Sequence, residues 1–344
     1  SVLDKYQYLS KQDRAFMTRL VDGTIEYMLQ LDYIIDSFSK TKVRKMKPFI
    51  RNLLRMSVYQ IKYMDAVPDS AVCNEAVKLA KRHKFAQLSG FVNGVLRNIA
   101  RNIDSVQFDT LSIRYSMPQW IVDRFVSAYG EKKAEEIFKA FHSKSTISIR
   151  TNLTRCTPDE LRAMLEAEGV TVTAVDELDY AFVISGFDYL NGLQTFRDGL
   201  FYVQDISSML VAQTAAPKKG DYVIDVCAAP GGKSTHIAEL LQGSGHVLAR
   251  DLTDNKVGMI EENIDRHGLN NMSAEVWDAT VPDADSAGKA DILICDLPCS
   301  GLGVLGRKKD IRYKMTPESV DELAALQRQI LDTVHTYVKP NGVL

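Results

Sequence analysis

Val223-Ile-Asp-Val-Cys-Ala-Ala-Pro-Gly-Gly-Lys-Ser-Thr-His236 decides the fold of this chain. An apolar strand ends in the acid Asp225, a turn of small residues follows, and a helix opens at Gly232-Lys233. Such a turn lets main-chain N–H groups approach a ligand without Cβ obstruction, at the positive end of a helix. Two ligand classes use it. Gly232-Lys233-Ser234 matches the tail of a phosphate-binding Gly-x-x-x-x-Gly-Lys-Ser/Thr loop, but the first glycine of that pattern would fall at Cys227. A nucleoside-binding Rossmann-type turn instead wants an acid after the next strand, to hold ribose hydroxyls. His246-Val-Leu-Ala-Arg-Asp251 supplies that acid, and the nucleoside reading is preferred.

The flanking pattern agrees. Residues 233–242 predict a helix, 246–250 a strand, and 255–267 a helix closed by Gly268. Residues 273–277 predict a strand running to Asp278, and 291–295 another running to Asp296. Thr316-Pro317 opens a helix expected to reach about Val338, with a last strand starting at Asn341. Apolar runs alternating with amphipathic helices mean a parallel sheet covered on both faces. Asp225, Asp251, Asp278 and Asp296 stand at the carboxyl ends of successive strands, where open α/β sheets bind ligands. One such acid is as readily a turn or cap residue; four in register are harder to dismiss.

The chemistry lies in Asp296-Leu-Pro-Cys299-Ser-Gly-Leu-Gly303. With residues 225–234, Arg250-Asp251 and Trp277-Asp278-Ala-Thr280, it resembles the S-adenosylmethionine-dependent RNA cytosine-C5 methyltransferases, in the bacterial small-subunit (16S) ribosomal RNA methyltransferase B (Sun/Fmu) group. The resemblance implies that Cys227, Ala228, Ala229, Pro230, Gly231, Gly232 and Lys233 line the methionine and ribose part of the cofactor. It implies further that Asp251 holds the ribose hydroxyls, Asp278 lies at the adenine, and Asp296 sits near the methyl group and the target base. A thiol suits this chemistry. Cytosine C5 is a poor nucleophile until a thiolate adds at C6, the covalent strategy that splits one hard step into easier ones.

In that family the attacking thiol is a second cysteine, in a Thr-Cys step beyond the next strand. The chain as given stops at Leu344 inside that strand, so the reading expects a methyltransferase sheet truncated at its C-terminus and a fragment unable to transfer methyl groups by itself. Cys299 then assists proton removal and product release. DNA cytosine-C5 enzymes attack with the Pro-Cys thiol, which keeps a nucleophile role open for Cys299. A buried loop cysteine is the plainer alternative. Cys227 and Cys295 read as packing residues.

Residues 1–148 hold 24 Lys/Arg against 15 Asp/Glu, whereas the whole chain carries 42 against 44, so the basic charge is concentrated in the first part. Lys40-Thr-Lys-Val-Arg-Lys-Met-Lys47 and Lys78-Leu-Ala-Lys-Arg-His-Lys84 are its densest basic runs; each alone reads equally as a solvated helix face. Phe49, Leu53, Leu54, Val58 and Ile61 recur at helical spacing, as do Ala76, Leu79 and Ala80. Residues 67–80 and 91–99 resemble the antitermination factor NusB, an all-helical RNA-binding fold; a helical scaffold that touches no RNA is the alternative.

Three segments are therefore expected: an all-α NusB-like domain over 1–105, a helical linker (118–142) and small α+β, RNA-recognition-like domain over 106–200, and an α/β Rossmann-like methyltransferase domain over 201–344. Asp205 reads as the N-cap of the helix entering the last of these. No run approaches the apolar length of a membrane span, no signal peptide is evident, and five scattered cysteines suggest neither disulfides nor zinc, which suits the cytoplasm. The expected function is C5 methylation of a cytosine in small-subunit ribosomal RNA by a monomer using S-adenosylmethionine and no metal. The alternatives are a NusB-like RNA-binding protein with a degenerate methyltransferase half, and a P-loop nucleotide hydrolase.

Overall fold

The computed structural model describes residues 3–6, 8–143 and 146–344. The chain divides into two compact units, Ser1–Lys144 with Gly301–Pro317, and Ser145–Ser300 with Glu318–Leu344.

The first unit is helical: α1 (Lys11–Glu26), α2 (Met28–Phe38), α3 (Pro48–Tyr63), α4 (Asp69–Arg82), α5 (Ser89–Asn102), α6 (Leu111–Arg114), α7 (Gln119–Tyr129) and α8 (Glu131–Phe141). Ser10 caps α1 by accepting from the Asp13 N–H at 3.1 Å. On α3 the stripe Ile50, Leu53, Leu54 and Val58 is buried against Leu31, Ile34 and Ile35 of α2 and Leu96 and Ile99 of α5. Leu79 departs from the expected pattern: α4 buries Val72, Cys73, Ala76 and Ala80, and this arc leaves Leu79 36% exposed. The expected helical segment 118–142 is two helices, α7 and α8, divided at Gly130, whose φ of 77° is costly for other residues.

The second unit holds two sheets. Strands β1 (Ile147–Thr151), β2 (Thr171–Val175), β3 (Leu178–Ser185) and β4 (Phe201–Val203) pair antiparallel in the order β2-β3-β1-β4. Helix α9 (Pro158–Ala167), opened by a Thr157–Glu160 capping box, and the short α10 (Gln194–Arg197) accompany them. Helix α11 (Ile206–Ala215) follows, with Asp205 as its N-cap: the carboxylate accepts from the Ser207 N–H at 3.2 Å.

The larger sheet comprises β5 (Tyr222–Asp225), β6 (His246–Asp251), β7 (Met272–Val276), β8 (Ala290–Ile294) and β9 (Val338–Val343). All its pairings are parallel, in the order β7-β6-β5-β8-β9. Helices α12 (Gly232–Leu240) and α13 (Asp254–His267, closed by Gly268 at φ 66°) connect β5 to β7. The short α14 (Ile311–Lys314) belongs to the first unit, and α15 (Pro317–Val334) leads to β9. Alternation along β5 sends Val223 to a core with Ile237 of α12 and Leu241 just after it, and Ile224 to one with Ile330 and Val334 of α15. The sheet is thus covered on both faces. The last helix ends at Val334 rather than near Val338, because Val338 is already paired with Ala290 of β8.

Within the first unit, the segment 301–317 packs through Leu305 against Met117, Ile121 and Phe138. Arg312 is fully buried and donates to the carbonyls of Leu305, Ser116 and Glu26. Lys309 meets the Glu26 carboxylate at 2.6 Å, and His142 meets it at 3.1 Å. These partners hold the Glu26 carboxyl below its usual range although burial, the larger influence, pushes it up.

Candidate functional site

The turn between β5 and α12 is held from outside by side chains. The Pro230 carbonyl accepts from the Tyr202 hydroxyl at 3.2 Å and from the Asn263 amide at 2.9 Å. The Gly232 carbonyl accepts from Arg150 at 3.0 Å and Gln204 at 3.2 Å. The Ala228 N–H donates to the Arg250 carbonyl at 2.8 Å and the Ala229 N–H to Asp251 Oδ2 at 2.9 Å. Turn and acid are therefore one hydrogen-bonded assembly. A Cβ at Gly232 would come within 3.1 Å of the Tyr202 ring, so the bare backbone is what fits there.

A cleft of about 190 Å³ lies along this turn. Cys227, Ala228, Ala229, Pro230, Gly232, Lys233 and Asp296, all candidate residues from the sequence, line it. Asp225, one of the four strand-end acids, lines it too, as do Tyr202, Gln204, Asp205 and Ser208, which sequence reasoning did not count as site residues. The signal for these four was positional: they lie on β4 and the segment entering the Rossmann-like sheet, whose first strand Asp225 ends.

Asp225 is 1% exposed. Its Oδ2 accepts from Ser234 at 2.6 Å, while Oδ1 has no partner among the described residues. Burial pushes its carboxyl up to about 6, against the lowering effect of Ser234 and the Cys227 N–H. Lys233 and Asp296 close the cleft as an ion pair at 2.5 Å, with Asp296 exposed.

Gly231, Asp251 and Asp278 are not among the residues lining this cleft. Asp251 ends β6 and is 4% exposed; its Oδ1 accepts from the Leu252 N–H and from Lys256, both at 2.8 Å. Asp278 lies two residues past β7, exposed, and accepts from the Thr280 hydroxyl at 2.7 Å and N–H at 2.9 Å. Those bonds hold its carboxyl below the usual range. The Trp277 N–H donates to the Asp251 carbonyl at 3.0 Å, which ties the two strand ends together.

The cysteines separate by environment. Burial pushes the Cys227 thiol up to about 12 and the Cys295 thiol up to about 11, and both pack in the core with Ile224 and Leu293. Cys299 is exposed, in the loop after β8, next to Pro298, whose carbonyl accepts from Gln327 at 2.8 Å. Of these three it is the exposed thiol.

Known proteins share this arrangement. The family model described as 16S rRNA methyltransferase RsmB/F matches residues 212–344, that of the NusB family residues 1–101, and a ferredoxin-like domain of RsmF/B-like methyltransferases residues 117–187. The probable ribosomal RNA small subunit methyltransferase B of Bacillus subtilis is 38% identical over 99% of this chain and 77% of its own length. The chain belongs to the ribosomal RNA small subunit methyltransferase B family.

A second member, from Proteus mirabilis, is 31% identical over 98% of this chain and 79% of its own length. Among solved structures, the crystal structure of PH0851 matches with a TM-score of 0.84 at 23% identity, covering 99% of this chain and 78% of that one. NSun6 from Pyrococcus horikoshii, crystallised with SFG, matches with a TM-score of 0.58 at 21% identity over 66% of this chain and 82% of that one. These likenesses are of fold; this chain itself combines NusB-like helices, a ferredoxin-like sheet and a Rossmann-like methyltransferase sheet. Among the described residues no helix is long and apolar enough to cross a membrane.

Proposed function

We propose that this protein methylates C5 of a cytosine in small-subunit ribosomal RNA, using S-adenosylmethionine and a covalent cysteine–C6 adduct. The observation that carries the reading is the Lys233–Asp296 pair. It joins the small-residue turn after β5 to the loop that presents Cys299, at one cleft.

The residues present fit the cofactor. A turn whose backbone is bare at Gly232, an acid at the end of β6, and the unpartnered Oδ1 of Asp225 are the donor and acceptor set of a nucleoside-binding crevice. Cys227 to Lys233 would hold the methionine and ribose part, Asp251 the ribose hydroxyls and Asp278 the adenine. S-adenosylmethionine, when bound, supplies an electrophilic methyl group.

Covalent attack prepares the base, the thiolate coming from the Thr-Cys cysteine that the resemblance expects or, on the second reading, from Cys299. A thiolate forms a bond to cytosine C6, and the displaced electron pair gives C5 the nucleophilic character it lacks. Asp296 and Lys233 present paired charges to the base edge. After transfer, a base takes the C5 proton, the C5=C6 bond re-forms and the thiolate leaves. Cys299 serves this release; attack by Cys299 itself is the second reading, favoured by its exposure.

Tritiated-methyl transfer to a small-subunit ribosomal RNA transcript by a protein that carries the expected downstream cysteine, with the product mapped as 5-methylcytosine, tests the activity; transfer by the 344-residue chain itself would hand the nucleophile role to Cys299. Binding of Mg-ATP in place of S-adenosylhomocysteine would overturn the reading.

A further inference from the structure

The two basic runs of the helical unit, separate in sequence, meet in the structure. Phe49, two residues after Lys47, stacks on His83 at 4.6 Å between ring centroids and on Phe85 at 5.3 Å with the rings 3° from parallel. Val43 and Met46 are buried (3% and 8% exposed), which turns Arg44, Lys45 and Lys47 outward. On α4, Lys78, Lys81 and Arg82 share one outer face by helical spacing. Arg44, Lys45, Lys47, Lys81, Arg82 and Lys84 are all exposed, and none is in an ion pair among the described residues. The neighbouring acids are engaged: Glu75 pairs with Lys78, and Asp36 Oδ1 accepts from the Val43 N–H.

Two features of this surface run against stability. Arg44, Lys45 and Lys47 crowd the N-terminal end of α3, which has no acid in its first turn, although a helix start prefers negative charge. Lys84 sits at φ 66°, where α4 ends. The Phe85 N–H reaches the Ala80 carbonyl at 2.8 Å and the Lys84 N–H the Lys81 carbonyl at 3.3 Å, the helix-ending motif whose left-handed position is normally glycine. A lysine there keeps a cation at the cost of local strain, and strain of this kind points toward function.

We propose that this joined surface, centred on the Phe49–His83–Phe85 stack, binds the phosphate backbone of the substrate RNA. It rests on the RNA-substrate reading above and adds where the chain is gripped. Lysine and arginine neutralise phosphates and release counterions, so affinity here falls steeply with salt.

Lys84→Gly separates charge from fold, because glycine relieves the strain while removing the cation. Binding of a small-subunit ribosomal RNA transcript, measured from low to moderate salt, is compared for wild type, Lys84→Gly, and Arg44→Gln/Lys45→Gln/Lys47→Gln. Lys84→Gly is expected to keep or raise Tm yet bind RNA more weakly. Each lost contact should lower the log–log salt slope by about 0.7 to 0.9, and the triple variant should lose roughly tenfold or more at low salt. Affinity for S-adenosylhomocysteine should not change.

Unaltered RNA affinity and slope in both variants would overturn the proposal. So would an equal loss in Lys132→Gln/Lys133→Gln on α8, which would make the effect one of net charge alone. A protein carrying the expected downstream cysteine that binds the transcript with a steep slope but transfers no methyl group would sink the activity and leave this surface standing.

Discussion

Arg150 on β1 and Glu239 on α12 face each other as a two-point ion pair, with Nη2–Oε1 at 2.8 Å and Nε–Oε2 at 3.2 Å. Their side chains are 1% and 3% exposed. The same guanidinium bonds the Gln204 side chain, the Gly232 carbonyl and the Thr235 hydroxyl at 3.2 Å. The ferredoxin-like sheet thus clamps the helix that begins at the small-residue turn after β5.

Removing one partner leaves a buried uncompensated charge. Arg150→Met should destabilise the fold by roughly 3–5 kcal/mol, and Arg150→Met/Glu239→Leu should recover much of that. Urea denaturation of the single and double variants checks it. Equal midpoints for wild type and Arg150→Met would mean that the pair contributes nothing net.

Asp251 is already bonded to two backbone N–H groups and Lys256, yet each carboxylate oxygen has more than one acceptor site. If it also accepts from both ribose hydroxyls, Asp251→Ala should weaken S-adenosylhomocysteine binding by about 2–3 kcal/mol. Calorimetry reads this directly, and unchanged affinity would place the ribose elsewhere.

Cys299→Ala distinguishes release from attack. In a protein that carries the downstream Thr-Cys cysteine expected from the resemblance, the variant is expected to form a covalent adduct with target RNA and S-adenosylmethionine and shed it slowly, giving a retarded band on a denaturing gel. No band together with abolished methylation would make Cys299 the nucleophile.

Asp225 predicts a pH dependence. Its folded pKa, raised by burial to about 6, lies above the ordinary carboxylate value of 3.8. For a raised carboxyl, the stabilising contribution is complete below about pH 4 and is lost as pH rises through about 6, to a maximum of about 3 kcal/mol. Asp225→Asn should therefore lose less stability than wild type between pH 5 and pH 8 in thermal melts. An identical pH profile for the two proteins would exclude Asp225 as the source.

Much of the candidate site was legible because it is local. The turn 227–233, Asp251 and the Pro298-Cys299 step are each set by a few neighbouring residues, and strand ends place them without long-range information. Arg150 was not legible as more than a strand residue. Its partners Gln204, Gly232, Thr235 and Glu239 lie 54 to 89 positions away, and only the docking of β1 against α12 brings them together. The segment 301–317 was likewise unreadable: it follows Cys299-Ser300 directly, yet packs with the helical unit through Leu305 and Arg312.

Period and punctuation alone determined the class of this protein: helical stripes in its first part, alternating strands and helices in its last, and a small-residue turn between an acid-ending strand and a helix. Those are nearest-neighbour properties, written in 2- and 3.6-residue repeats. Only the tertiary structure decided which charges matter together. Two basic runs became one surface because Phe49 found His83 and Phe85, and Asp296 joined Lys233 across 63 positions. Burial decided the cysteines in the same way, since a thiol's reactivity follows from its surroundings and not from its place in a motif.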